Sequence, residues 1–300
     1  MRSAASANGE RSGRKQHKMQ KFSLTITVGI DDPGTVCDFL AKHTGLSKSR
    51  IKDAMNKGAV WVRKEKGKQY RIRRATATLK TDDYPSIYYD AKLLALAPLR
   101  PECLGDQGRY SVWFKPAGLM TQGTKYGDHC SLLRQAELFF KSKRKVFPVH
   151  RLDREASGIV LIAHDKTAAA KLSRLFLSQQ IIKRYRAWVL GNLAAQRPRG
   201  KIDQSLEDKP AATEFAVTDY DPASNISSVD IVLHTGRLHQ IRRHFEAIGF
   251  PVMGDPRYGK GNKNKSGLKL MASALEYHCP FKKKDLVFES PCTDFDAGTY

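Results

Sequence analysis

The sequence is short of acid: 30 Asp and Glu stand against 52 Lys and Arg in 300 residues, a formal charge of +22. An excess of that size is foreign to a balanced metabolic enzyme and points to a polyanionic partner. Long apolar runs are also missing. Residues such as Ile159 to Ala163 form the longest of them, far below the ~20 residues that a membrane-spanning helix needs. No apolar stretch follows the basic N-terminal residues to make a secretion signal, so no membrane is expected and the location expected is cytoplasmic. Five cysteines, Cys37, Cys103, Cys130, Cys279 and Cys292, include no CxxC pair and are too scattered for a disulfide framework. They read as reduced thiols. His234, His239 and His244 recur every five residues, a step that turns about 140° on a helix, so they do not share a ligand face and no metal is expected. Against these absences stand 41% hydrophobic and 9% aromatic residues, enough for a sizeable core, which excludes disorder throughout.

Residues 1–21 hold five basic residues before Lys21 and, up to that point, not one Leu, Ile, Val or Phe, which predicts a disordered basic tail. From Phe22 the text changes. SLTITV alternates like a strand, GTVCDFLAKHTG reads as a short helix with Gly45 at its C-terminus, and Ser47 caps a second helix, KSRIKDAMNKG. Ile51 and Met55 take the buried side of that helix, with Lys48 and Lys52 on the other. A hairpin of basic strands and a last strand follow, to about residue 92. The first 80 residues carry 19 Lys and Arg against 6 Asp and Glu, more than half of the chain's excess in about a quarter of its length. That concentration marks a binding module. Residues 93–108, with two prolines and two glycines, read as a linker, and from 109 strands such as RYSVWF and SGIVLIA alternate with helical text such as KTAAAKLSRLFLSQQ. Periodicity alone gives an α+β class.

One motif is discarded at once. Gly254 to Lys260 fits the GxxxxGK half of a phosphate loop, but Gly261 stands where Ser or Thr must hold magnesium, and no strand-to-helix context surrounds it. The basic, glycine-rich segment 259–269 is expected to be a flexible surface loop. FPVHRLDREASGIVLIAHD is more informative: Asp153 lies among Arg151, Arg154 and His150, just ahead of an apolar strand, and cations at close range favour an ionised carboxylate. On spacing alone such an Asp is either a nucleophile or base, or one half of a structural ion pair. In HTGRLHQIRRHFEAIGFPVMGDPRYG, Arg237, Arg242, Arg243 and three histidines surround a glycine-led turn that enters a helix, a partner for phosphate or carboxylate. In QQIIKRYRAWVLG, strand spacing puts Tyr185 on the same face as Lys183. VWFKPAGLMTQG ends a strand in Lys115-Pro116-Ala117-Gly118, whose lysine either approaches phosphate or faces water.

Taken together, KPAG (115–118), HRLDREASG (150–158), KRYRAWVLG (183–191), TGRLHQIRRH (235–244) and GDPRYG (254–259) resemble the RluA-type pseudouridine synthases over residues 110–277. Ala156 and Leu238 depart from threonines usual in that family. The two helices and basic hairpin of 22–92 resemble the small RNA-binding domain named after a ribosomal small-subunit protein, the S-four domain, which precedes the catalytic domain in some members.

The resemblance implies a mixed, largely antiparallel sheet with flanking helices for 109–300, preceded by a small α+β RNA-binding domain. It implies an isomerase that turns uridine in RNA, ribosomal RNA before transfer RNA, into pseudouridine without a cofactor. By similarity Asp153 is the catalytic carboxylate, acting on the ribose anomeric carbon or on the neighbouring ribose proton. Arg237 pairs with it, Tyr185 stacks on the base or handles a proton, and Arg151 enters the space that the flipped uridine leaves. The RNA contacts expected are Arg151, Lys115, Lys183, His239 and Arg242 around the cleft and Lys48 and Lys52 on the N-terminal module, in a monomer. Two rivals remain: a non-catalytic RNA-binding or ribosome-associated protein on the same scaffold, disfavoured because Asp153, Tyr185 and Arg237 are all present, and an RNA hydrolase, which lacks a second carboxylate or histidine pair at convincing spacing.

Overall fold

The computed structural model describes residues 21–32, 34–260, 262, 266–292 and 295. The expected basic tail lies outside them except for Lys21, which is not tail but the first residue of a strand. Contacts divide the chain into two compact units between Ala95 and Leu96.

In the first unit β1 (Lys21–Thr25) leads to α1 (Val36–Thr44), which starts where the Thr35 hydroxyl accepts the Asp38 amide and ends at Gly45, left-handed at φ 69°. Ser47 caps α2 (Lys48–Asn56) in the same way. Both helices are amphipathic at helical spacing, and Val36, Phe39 and Leu40 of one join Ile51 and Met55 of the other in one core. β2 (Val60–Arg63), β3 (Tyr70–Arg71) and β4 (Tyr84–Asp90) complete an antiparallel sheet in the order β1-β4-β2-β3, and α3 (Ala91–Leu94) closes the unit.

The second unit begins inside the segment expected to be a linker. Residues Glu102–Asp106 form β5, paired antiparallel with β6 (Tyr110–Lys115). The glycines that signal a linker serve the hairpin instead: Gly105 sits where the register slips by one residue, and Gly108, at φ 79°, turns the chain. The chain continues through α4 (Leu132–Phe139), β7 (Phe147–Pro148), β8 (Ser157–Ala163), α5 (Lys166–Leu177), β9 (Ile181–Leu190), α6 (Leu193–Gln196), β10 (Arg199–Asp203), β11 (Ala212–Asp221), β12 (Ile226–Leu233), α7 (Gln240–Ala247), β13 (Leu270–His278) and β14 (Asp285–Glu289). Ten of these strands make one sheet, β10-β11-β12-β9-β13-β8-β6-β5, with β14 beside β13 and β7 beside β8. It is an α+β fold with a mixed, mostly antiparallel sheet. The segment 259–269 is only partly a surface loop: Asn262, Leu268 and Lys269 are buried, while 261 and 263–265 lie outside the described residues.

The one parallel contact among the named strand pairs, Met271 against Ser157 and Ala272 against Gly158, joins the two halves of this sheet. It depends on glycine. Gly158 has φ 120°, and a Cβ there would lie 2.3 to 2.7 Å from the Ala272 backbone. Any side chain must therefore separate β8 from β13 or distort both. Gly158→Ala is expected to cost roughly 2 to 4 kcal/mol of unfolding free energy in chemical denaturation, and an unchanged midpoint would contradict this reading of the junction.

Candidate active site

A cleft of about 510 Å³ opens between the loop that precedes β8, strand β9 and the turn that enters α7, a volume suited to a nucleotide-sized ligand. Asp153, Arg151, Lys183, Tyr185, Arg237, His239 and Arg242 all line it. The sequence-predicted residues do converge, but not in the roles expected of each.

The carboxylate loop is built by the strand-turn segment that begins at β6. The Thr121 hydroxyl donates to the Leu152 carbonyl at 2.8 Å and accepts the Leu152 amide at 3.1 Å, and the Gly118 amide donates to the Arg154 carbonyl at 2.7 Å. Lys115 completes the hold. Its Nζ donates to the carbonyls of Ala156 at 2.6 Å, Leu119 at 2.7 Å, Pro116 at 3.1 Å and Arg154 at 3.3 Å. The side chain is fully buried, so the expectation that Lys115 reaches RNA phosphate is wrong. β6 is buried along its whole length, leaving no solvent side for the lysine to choose. Burial pushes its pKa down to about 7, opposed by the charges of Asp153 and Glu155.

Asp153 finds its cation far along the chain. Arg242 Nη1 donates to Asp153 Oδ2 at 2.9 Å, whereas Arg237, expected in that place, sends its Nε to the Pro210 carbonyl at 3.0 Å. The reason is helical geometry. Arg237 precedes α7 in a turn, while Arg242 lies three and one residues from Phe245 and Ile241 on the buried face, only 2% exposed. A guanidinium at such a position must be paired, and Asp255 does this with two bonds, Nε to Oδ2 at 2.6 Å and Nη2 to Oδ1 at 2.8 Å. Burial opposes the Arg242 charge, but the hydrogen bonds to Asp255 and Asp153 outweigh it and raise its pKa. Burial raises and Arg242 and the amides of Arg257 and Tyr258 lower the Asp255 pKa, for a net fall. One guanidinium edge thus goes to Asp255 and the remaining Nη1 to Asp153, whose Oδ1 makes no hydrogen bond among the described residues.

The neighbours of Asp153 in sequence do less than expected. Arg154 turns to Glu155 at 3.3 Å, and His150 Nε2 accepts the Leu161 amide at 3.0 Å while its ring stacks on Phe176. Burial, with Lys183 nearby, pushes the His150 pKa down to about 3, so the ring is neutral and supplies no cation to the carboxylate. Arg151 is exposed in the cleft.

Strand alternation places Lys183 and Tyr185 together on the cleft face of β9, with Arg184 and Arg186 on the other, where they pair with Glu276 and Asp230. Lys183 Nζ donates to the Thr235 carbonyl at 2.9 Å, and burial pushes its pKa down to about 8. Burial, then the Asp153 charge, pushes the Tyr185 pKa well up, so at neutral pH it is a phenol able to donate but not a base. His239 enters α7 with φ 52°, a left-handed conformation that side chains seldom adopt outside functional or strained sites. It hydrogen-bonds Tyr258 at 3.1 Å and lies 3.7 Å from Asp153. Gln240, buried beside it, ties the turn to β11 by accepting from Thr235 and the Arg237 amide and donating to Ala212 and Thr213. His244 is buried against Thr213 and Gln204, and His234 pairs with Glu214, so no two of the three histidines share a partner. On the N-terminal unit Lys48 and Lys52 are both exposed, Lys48 in an ion pair with Asp38 at 2.7 Å.

Asp255 and Thr121 lie in the motifs GDPRYG and VWFKPAGLMTQG, but sequence alone assigns neither a task. The signal for Asp255 was present in the demand of Arg242 for a buried partner.

The lysine beneath the loop yields a pH test. Unfolded, Lys115 keeps its proton to about 10.5; folded, it sheds it near 7. Between those values the unfolded chain binds more protons, so this group adds stability as pH rises. The stability lead of the wild type over Lys115→Met, measured by denaturant unfolding, is expected to widen between pH 7 and 10 by on the order of a few kcal/mol. A lead that stays constant or narrows would contradict a buried, low-pKa lysine.

Comparison with known proteins places this geometry. The family model described as RNA pseudouridylate synthase matches residues 109–247. An uncharacterized RNA pseudouridine synthase of Mycoplasma genitalium is 32% identical over 295 residues, covering 91% of each chain. The ribosomal large subunit pseudouridine synthase C of Yersinia pestis is 28% identical over 89% of this chain and 91% of its own, and the tRNA pseudouridine synthase C of Pasteurella multocida is 33% identical over 51% of this chain and 72% of its own. Human RNA pseudouridylate synthase domain containing 1 shares the fold, with a TM-score of 0.55 and 23% identity over 66% of this chain and 86% of its own. With a relative this similar along nearly its whole length, and the cleft assembled from the motifs described above, the chain belongs to the RluA-type family of RNA pseudouridine synthases.

Proposed function

We propose that the chain isomerises specific uridines of structured RNA, ribosomal RNA in the first instance, with Asp153 as the reacting carboxylate. The observation that carries this is the placement of Asp153 in the cleft, partly exposed, with its charge opposed by a buried Arg242 and with Tyr185 across from it. The glycosidic bond from N1 to C1′ breaks, the base turns, C5 bonds to C1′, and the hydrogen on C5 leaves as a proton while N1 gains one. Asp153 acts either on C1′ or on the adjacent ribose proton. Both routes use the carboxylate as an anion, and the Arg242 guanidinium gives it a charge-assisted hydrogen bond at 2.9 Å. Arg242 therefore takes the role that sequence gave to Arg237. Tyr185, as a phenol beside the carboxylate, stacks on the base or donates a hydrogen bond to it.

A uridine inside a helix cannot reach this cleft, so it must leave its stack, at a cost of a few kcal/mol that protein contacts offset. Arg151, exposed at the cleft, suits the vacated position, and Arg237 and His239 suit the flanking backbone, whereas Lys183, buried and donating to the Thr235 carbonyl, and Arg242, buried between Asp153 and Asp255, do not suit the RNA contacts expected of them. The N-terminal unit serves as an S-four-like RNA-binding domain, with Lys52 more available than the Asp38-paired Lys48. Ribosomal RNA is favoured because similarity to the ribosomal enzyme runs over 89% of this chain, against 50 to 66% for four transfer RNA enzymes. The working form is a cytoplasmic monomer; among the described residues no helix is long and apolar enough to cross a membrane.

Tritium release from RNA labelled at uridine C5 tests the reading, because forming the new bond must expel that hydrogen. Wild type is expected to release tritium from unmodified cellular RNA and Asp153→Asn to release at least a thousandfold less while binding the same RNA. Tight binding without release by the wild type would favour the non-catalytic rival.

A further inference from the structure

The end of α4 presents an aromatic ring and a run of lysines that the cleft does not use. Phe139 is 60% exposed, and no other phenylalanine or tryptophan among the described residues is exposed to that degree. It is nonetheless held in place. Its ring packs at 84° to Trp113, centroids 5.2 Å apart, and at 89° to Phe140, 5.1 Å apart. Phe140 is braced in turn by Trp113, by His164 and by the Arg144 guanidinium 4.7 Å above its ring. An exposed ring on a rigid aromatic base differs from a solvated leucine: its orientation is already fixed, so a second flat ring stacks on it with little further loss of freedom.

The next turn is basic and unusually built. Lys141 and Ser142 both take left-handed backbone, at φ 52° and 57°. Their amides return to α4, Lys141 to the Leu138 carbonyl and Ser142 to that of Glu137, each at 2.8 Å. This is the helix ending that ordinarily selects glycine at the residue where Lys141 stands. Glycine would hold the backbone with less strain, so the lysine is kept at a local cost in stability. Lys141, Lys143 and Lys145 are exposed and have no carboxylate partner among the described residues, whereas Arg144 is paired with Asp106 at 2.7 Å. Phe140 and Val146, on either side of this turn, pack into the apolar cluster that also holds Leu152 and Tyr185 of the cleft. The platform and the cleft floor therefore rest on one rigid support.

We propose that Phe139 with Lys141, Lys143 and Lys145 forms a second RNA contact, a platform on which an unpaired base next to the modified region stacks while the lysines hold the flanking phosphates. The proposal rests on the RNA-modifying reading above and adds a contact for single-stranded substrate. Charge decides the occupant: beside the exposed Leu138 and Phe139, three exposed lysines with no carboxylate partner among the described residues follow within six positions of the ring; they suit a polyanion whose bases have π-faces, and an apolar protein partner would have to bury those charges.

Binding of fluorescent oligouridylate and of unmodified ribosomal RNA, measured across a salt series, tests it. Phe139→Ala is expected to weaken oligouridylate binding roughly tenfold, the loss of one stacked base, with the salt slope unchanged, and Phe139→Trp to restore it. Lys141→Gly separates folding from binding: the melting temperature should rise as the backbone relaxes, while the salt slope falls by roughly 0.7, one single-strand phosphate contact. Unchanged affinity and slope in Phe139→Ala and Lys141→Gly overturn the proposal, also if Phe139→Ala alters self-association, which would make the patch a protein contact. The wild type separates the two claims. Binding to the platform without tritium release would sink the isomerase reading alone; tritium release with unaffected variants would sink the platform alone.

Discussion

The site depends on a buried arginine shared between two carboxylates. Arg242 is almost wholly removed from water, a placement that costs several kcal/mol unless partners replace its hydration. Asp255, itself buried, takes two of the guanidinium's donors at 2.6 and 2.8 Å and leaves Nη1 for Asp153. The arginine cannot swing away to follow substrate phosphate, because Asp255 fixes its plane. Asp153 thus meets a stationary positive charge on one oxygen and keeps the other toward its surroundings. Glu155 also stands 4.0 Å from Nη1, so the guanidinium anchors Asp153 at the partly exposed end of an acidic cluster.

Much of the second unit is arranged to deliver those three side chains. The loop bearing Asp153 is bonded from beneath by Lys115, the last residue of β6, and by Gly118 and Thr121 just after it. Gly158 brings the same loop's outgoing strand against β13 at a distance that no side chain allows. Arg242 arrives on α7, whose start is pinned by Gln240 through four hydrogen bonds. Asp255 follows in a turn that needs Gly254 at φ 74°, where a Cβ would collide with the Gly267 carbonyl. The Arg242–Asp153 bond spans 89 residues of sequence and the Gly158–Ala272 contact more than a hundred, so the carboxylate and its cation take their geometry from the sheet and not from local sequence.

The elements themselves were readable in the sequence. Alternation marked β8 and β9, helical spacing marked α5, and Thr, Ser and Gly punctuation marked the ends of α1 and α2, because in each case a local rule decides the outcome. Asp153, Tyr185 and Lys183 were placed in one cleft by motif and by strand parity. The errors came where facing matters and local sequence does not determine it. A lysine at a turn is usually exposed, but Lys115 ends a β6 that is covered on both faces. Two prolines and two glycines give 93–108 the composition of a linker, although the glycines serve a hairpin's bulge and turn. Arg237 was given the pairing role from its place in a motif. The spacing of Ile241, Arg242 and Phe245 on one helix face held the better answer, since an arginine among core residues has to find an acid.

The most direct test compares Arg242→Gln with Arg237→Gln in single-turnover tritium release from RNA labelled at uridine C5, with RNA affinity measured in parallel. The expected result is a loss of at least a thousandfold in rate for Arg242→Gln, and at most about tenfold for Arg237→Gln, with RNA affinity within a few-fold of wild type in both. The reverse order, or equal losses in rate and affinity for Arg242→Gln, would contradict the assignment of Arg242 as the partner that keeps Asp153 active.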